Sequence, residues 1–391
     1  MTASNYDVLV LGGGTMGTAT AWALAKRGIK ALVLEQFSHV HTLGSHGGHT
    51  RIFRHAYSEG AGYVPLMQRA DQLWCELGEE LGLDIVHRVG ILEMDSPGTH
   101  HSHNARDAAM NHGIPYEWLN AEEIRYRWPV FHPPDGWEGG FSDRAGFLVV
   151  EPALRGMAVL AGRNGVEILK HSPVISWGVD GSAVRVQTPE QTFAGDRLII
   201  TGGSWSSSVL SELQLPLSVV RKVIFWLDVA EPAQFRPDVF PVFAADTGAS
   251  EIYGFPVFGL PGMKVANHLG GEPANPDTVE RRADPSEAQD ILDCTNYLLP
   301  GVSDRVVSSA VCLYTRTPDE HFIIDRHPLH SRVTIAAGFS GHGFKFATVV
   351  GEHLADLALD ENARPYDHFR IDRFGSLPPP DSIANTQEAL G

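Results

Sequence analysis

The stretch Tyr6-Asp-Val-Leu-Val-Leu-Gly-Gly-Gly-Thr-Met-Gly17, followed by a helical run and then Ala31-Leu-Val-Leu-Glu35, decides the fold. Residues 6–11 form a short apolar run, the pattern of a parallel strand covered on both faces. A glycine turn follows, then a helical pattern over Thr18–Arg27 that Gly28 stops, then a second apolar strand at Ala31–Leu34. Gly12, Gly14 and Gly17 occupy the three glycine positions of a dinucleotide-binding turn. The first permits the tight turn, the second lets a pyrophosphate approach the backbone, and the third lets helix and strand pack closely. Glu35 lies 21 residues after Gly14 at the end of the second strand. A carboxylate there accepts hydrogen bonds from ribose hydroxyls and disfavours a 2′-phosphate, so NADP is not expected. The turn alone does not separate FAD from NAD.

Outward from this unit, helical patterning returns at Val64–Leu81, Pro152–Arg163 and about Phe346–Leu359. Buried strands are expected at Glu167–Leu169, Arg197–Thr201 and Val333–Ala337. Lys222–Val229 and Lys264–Asn267, separated by Pro/Gly-rich turns, read as antiparallel strands. Residues 38–60 read as a long functional loop, and Ile85–Phe141 as loop-rich. The expectation is an α/β chain with a discontinuous Rossmann-like cofactor domain (1–86, 146–215 and 323–375). A substrate domain on a mixed, largely antiparallel sheet (87–145 and 216–322) interrupts it, and a tail (376–391) carries three consecutive prolines.

The 391 residues suit two domains, and 43% hydrophobic content supports a sizeable core. A formal charge of −17 argues against nucleic acid and anionic lipid as partners and fits a small-molecule ligand. Three scattered cysteines, Cys75, Cys294 and Cys312, give no disulfide framework and fit a reducing compartment. No signal peptide, peroxisomal address or apolar run of about 18 residues is read, so a cytoplasmic location without a membrane span is expected.

Several residues admit a chemical reading beside a structural one. By composition Cys312, after the apolar Val306–Val311, is a small buried hydrophobe, as are Cys75 and Cys294. His39, His41, His46, His49 and His55 crowd one loop, but their spacing matches no zinc pattern, and no metal is expected. Arg51 and Arg54 in that loop suit an anionic substrate, because a guanidinium fork holds a carboxylate bidentately; a solvated basic loop is the competing reading. His100, His101 and His103 read as a solvated polar turn, and Lys264 on an alternating strand as solvent-facing. Gly338-Phe-Ser-Gly341-His342-Gly343-Phe-Lys345 joins a buried strand to a helix and points backbone N–H groups at whatever binds there.

Four motifs in order carry a specific likeness: Thr50-Arg-Ile-Phe-Arg-His-Ala-Tyr57, Tyr253-Gly-Phe-Pro256, Cys312-Leu-Tyr-Thr-Arg-Thr-Pro-Asp-Glu-His-Phe-Ile-Ile-Asp325, and Gly338 to Lys345. From Gly12 to about Leu359 the chain resembles the monomeric sarcosine oxidase and N-methyltryptophan oxidase family, covalent flavoproteins of the D-amino-acid-oxidase-like superfamily. The resemblance implies a monomeric amine oxidase that takes a secondary amino acid and O2 and releases peroxide. It implies FAD bound through a thioether at Cys312, with Gly12, Gly14, Met16, Gly17 and Glu35 on the adenosine and pyrophosphate, and Gly341, His342 and Gly343 also on the cofactor. It places Arg51 beside the flavin, Arg54 and Lys345 on the substrate carboxylate, Tyr253 and His268 along the substrate cavity, and Lys264 where reduced flavin meets oxygen. A fructosyl amino acid oxidase is the nearest alternative; an NAD-dependent dehydrogenase or a non-catalytic FAD-binding module are alternatives of other classes.

Departures from the family pattern bear on the substrate. Where sarcosine oxidases usually read Ser-His-His-Gly-Asp-Thr, this chain has Ser45-His46-Gly47-Gly48-His49-Thr50. A cavity methionine of the family falls on Ala244. The expectation is more room over the flavin at Gly47 and Ala244, and hence a substrate bulkier than sarcosine.

Overall fold

The computed structural model describes residues 5–375; the expected tail lies outside the described residues. Asn5–Leu11 is the central strand of an eight-stranded sheet. It pairs in parallel with Ala31–Leu34 on one side and Thr192–Ile200 on the other. Glu167–Leu169 extends the sheet beyond Ala31–Leu34, and His330–Ala337 extends it beyond Thr192–Ile200, both in parallel. The remaining strands join this sheet antiparallel. Helices Thr15–Ala25, Val64–Leu81, Val150–Arg163 and Ala347–Leu359 bring Trp22, Trp74, Leu154 and Leu354 into one apolar core against the sheet.

The first helix starts at Thr15, three residues before the sequence pattern, because Gly14 ends the turn in an extended conformation and the chain winds at once. The second helix matches its pattern. Pro65 sits in its first turn, and Gly82 closes it with φ 64°, a left-handed conformation that glycine adopts without a Cβ penalty.

A second sheet of nine strands is antiparallel except where Val242–Asp246 runs parallel to Ile91–Asp95. Its longest pairing sets Ser218–Val229 against Val302–Arg316, with Lys222 opposite Cys312. Tyr253 on Glu251–Phe255 stands opposite Ala244 on one neighbour and Ala266 on the other. A small antiparallel sheet, Thr50–Phe53, Gly146–Val149 and Val86–His87, lies apart from both.

The reading of Ile85–Phe141 as loop-rich is corrected. That stretch holds strands Val86–His87, Ile91–Asp95, Glu117–Asn120 and Glu138–Ser142 and helices His101–Asn111 and Ala121–Arg127. The strands have two to five residues, too few to establish a period, and intervening prolines and glycines hide them. His101, expected in a solvated turn, begins the first of these helices with its side chain 11% exposed.

Candidate active site

At the carboxyl ends of the central parallel strands lies a cleft of about 380 Å3. Gly12, Gly14, Met16 and Glu35 line it from the first strand–helix–strand unit, and Gly341 and Gly343 from the loop after His330–Ala337. Ligands of open α/β sheets bind at such an edge. The glycine turn is built for close approach. A Cβ on Gly17 would lie 1.8 Å from the carbonyl oxygen of Gly12, so helix and strand could not pack as they do. A Cβ on Gly14 would meet nothing within 4 Å, which leaves that backbone open to the cleft.

Glu35 is buried and accepts from the backbone N–H groups of Gly13 and Phe37, each at 2.8 Å, with His41 Nε2 at 3.4 Å. Burial pushes its pKa up, but His41 and the two backbone donors outweigh that and hold the carboxyl below its ordinary value. It is therefore an anionic acceptor at neutral pH.

A smaller cavity of about 60 Å3 opens off the cleft and shares Arg51, Tyr314, Gly341 and Phe344 with it. Arg54, Tyr253, His268, Cys312, His342 and Lys345 line this second space. Five separate stretches of the chain therefore converge on one chamber. Lys345 is held by two contacts. Its backbone carbonyl accepts from Trp74 Nε1 at 2.8 Å, and its ammonium donates to Tyr57 Oη at 3.3 Å. Tyr57 is hydrogen-bonded to His342 Nδ1 at 2.6 Å. Burial first, then the Arg54 charge, push the Lys345 pKa down to about 7. Burial likewise takes His268 down to about 3 and His342 to about 4, so both rings are neutral at pH 7.

Arg54 does not present an open fork. Nη1 binds Glu93 and His101, and Nη2 binds Glu59 and Ser58. Only Nε is left, buried and without a partner among the described residues. Burial pushes Glu59 and Glu93 up, but Arg54 more than offsets this: Glu59 sits well below the ordinary range and Glu93 below it. Both terminal nitrogens of Arg54 are thus engaged inside the protein.

Lys264 is 3% exposed rather than solvent-facing. It stands behind the chamber rather than on its wall, donating to the Thr50 carbonyl at 2.6 Å and lying over the Phe255 ring at 4.2 Å. Burial, and then the charge of Arg51, put its pKa well below the ordinary lysine value. Arg51 lines both cavities and donates to the carbonyls of Thr50 and Ser45, each at 2.8 Å.

The chain's relatives match this arrangement. A family model described as FAD dependent oxidoreductase matches residues 7–357. The monomeric sarcosine oxidase of Arthrobacter sp. (strain TE1826) is 39% identical over 360 residues, covering 91% of this chain and 92% of that protein. The chain belongs to the sarcosine oxidase and N-methyltryptophan oxidase family of FAD dependent oxidoreductases. The N-methyl-L-tryptophan oxidase of Yersinia pestis (strain Pestoides F) is 34% identical over 361 residues, 91% of this chain and 96% of that protein. The open form of NikD, described as an unusual amino acid oxidase essential for nikkomycin biosynthesis, shares the fold. Its TM-score is 0.82 at 24% identity, covering 94% of this chain and 98% of that one.

As a flavin-dependent amine oxidase of this family, the chain must accommodate FAD, and its residues fit that group. The open backbone at Gly14 suits a pyrophosphate, and the anionic Glu35 suits ribose hydroxyls. Cys312 is buried and lines the chamber, and the next residue, Leu313, lines the cleft. Burial raises its thiol pKa, while Arg51, Lys264 and Lys222 pull it back towards the thiolate.

Of the two departures expected to make room, Ala244 borders the chamber. Gly47 lines neither cavity, and a Cβ there would rest against Thr42 and Val311 at 3.5 and 3.8 Å. His49 stacks towards Phe258, away from both spaces.

Sequence reading missed Glu59, Glu93, Glu251, Tyr57 and Tyr314 at this site. One signal was present: Glu93 interrupts the apolar strand Ile91–Asp95, every residue of which is buried. A carboxylate in such a strand needs a buried partner, and Arg54 is that partner.

Proposed function

We propose that this chain oxidises the C–N bond of a secondary amino acid bulkier than sarcosine, as a monomer with FAD tethered at Cys312. The observation that carries the reading is the small chamber beside Cys312, which combines the Lys345 ammonium with an alanine, Ala244, opposite Tyr253. FAD held in the cleft would supply the redox chemistry by which an amine is oxidised to a hydrolysable imine and O2 is reduced to peroxide.

The chain's residues do the placing. Lys345 holds the α-carboxylate, and the Arg54 guanidinium, fixed by its ion pairs with Glu59 and Glu93, adds positive charge beside it. Neutral His268 and Tyr253 wall the reacting end without adding charge to it. Lys264 stands ready where charge develops on oxygen; burial withholds its proton at rest, and the developing anion draws that proton on. In this reading residues 1–86, 146–215 and 323–375 are the cofactor domain and 87–145 with 216–322 the substrate domain, and the chamber is walled by both.

The test is peroxide release by purified holoenzyme against sarcosine, N-methyl amino acids, proline, pipecolate and fructosyl amino acids. The expected result is a higher kcat/KM for a larger secondary amino acid than for sarcosine. Sarcosine at the top of the panel would refute the size argument, and turnover of only fructosyl amino acids would move the chain to the glycated-substrate branch.

A further inference from the structure

The chamber contains a carboxylate that the reaction above leaves unused. Glu251 opens the strand Glu251–Phe255 and shares a face with Tyr253 and Phe255, since alternate residues of a strand point the same way. Its side chain is 18% exposed, and its one ion-pair contact is His101 Nδ1 at 3.3 Å. Among the described residues it accepts no well-aligned hydrogen bond. An enclosed carboxylate in that condition is costly until a donor reaches it.

The same chamber holds a cationic group, the Lys345 ammonium, on its wall. A carboxylate without an aligned donor and an ammonium on the wall of one small space describe a ligand carrying both charges. Burial keeps the Glu251 pKa above the ordinary carboxylate value, as befits an acid still lacking a full counter-charge.

Position separates Glu251 from the oxygen end. Four residues along a strand span roughly 13 Å. Glu251 therefore stands about that far from the backbone of Phe255, whose ring carries Lys264. We infer that Glu251 is a specificity residue that receives the cationic end of the substrate's side chain, so that the favoured substrates are N-alkyl amino acids with basic side chains. The inference rests on the oxidase reading above and deepens it. The α-carboxylate goes to Lys345, and the distal ammonium or guanidinium to Glu251.

The test compares holoenzyme and its Glu251→Gln variant on the N-methyl derivatives of 2,4-diaminobutyrate, ornithine and lysine, with N-methylnorvaline and N-methylnorleucine as uncharged counterparts. At least one basic substrate should exceed its counterpart tenfold or more in kcat/KM, chiefly through KM, and Glu251→Gln should cut that ratio at least tenfold. Glu251→Asp, with the charge on a shorter stem, should move the preference to a longer side chain. Calorimetric Kd values for L-ornithine and L-lysine against norvaline and norleucine should show the same split without turnover. A wild-type ratio near one, or a ratio that survives in Glu251→Gln, overturns the inference. An equal loss for charged and uncharged substrates also overturns it, by assigning the carboxylate to the reacting amine. Turnover of uncharged secondary amino acids without a basic preference sinks the inference alone; no turnover of any secondary amino acid sinks the oxidase reading with it.

Discussion

Lys345 gives the account a quantitative handle. Its pKa lies at about 7 because burial, and then the neighbouring Arg54 charge, disfavour the ammonium. The group is charged below that pH and neutral above it, and only the charged form attracts a carboxylate. The Kd of an acidic ligand lacking an amine, such as propionate, should therefore be flat below pH 7 and rise tenfold per pH unit above it. By pH 8.5, about 1.5 units past the pKa, binding should weaken roughly 30-fold, about 2 kcal/mol at 1.36 kcal/mol per unit. His268 and His342, at about 3 and 4, are neutral throughout this window and contribute no slope. The assay is perturbation of the flavin absorbance by propionate from pH 6 to 9 in wild type and Lys345→Met. The variant should bind more weakly at pH 6 and lose the rise above 7. A flat wild-type profile, or a rise that persists in Lys345→Met, would refute the assignment.

Three further outcomes follow from the site. Cys312→Ser should release FAD into the supernatant on acid precipitation, and a pellet that stays yellow would exclude the thioether. Lys264→Met removes the amine held by Thr50 and should slow reoxidation by oxygen at least tenfold more than anaerobic reduction by substrate; equal slowing would place the lysine in another step. Gly17→Ala puts a Cβ 1.8 Å from the Gly12 carbonyl oxygen, so helix and strand must separate. A loss of about 3 kcal/mol or more in urea unfolding, with reduced FAD content, is expected from overpacking at a junction that cannot give; wild-type stability and flavin content would show that the turn has slack.

The dinucleotide unit was legible because its signals are local. Apolar strands, a glycine turn, a helix and a terminal acid all fall within residues 5–35, and the helix Val64–Leu81 carried its own start and stop. The stretch from Ile85 to Phe141 was not, because its strands are too short to show a period and gain their stability from pairing with distant partners. The same difference divides the site. Arg51, Arg54, Cys312 and Lys345 sit in motifs whose neighbours identify them. Glu251 and His101 meet only because two elements 150 residues apart fold together, and neither carries a local mark of that. The sequence likewise suggested an open arginine fork at Arg54, since nothing near it announces that Glu93 will arrive from a different sheet.

The most direct test of the central claim is anaerobic mixing of purified holoenzyme with N-methyl amino acids while the flavin band is followed. The account predicts that a secondary amino acid larger than sarcosine bleaches the band in proportion to enzyme, and that readmitted oxygen restores it with release of one peroxide per flavin. A band that no secondary amino acid bleaches, while dithionite does, would contradict the account.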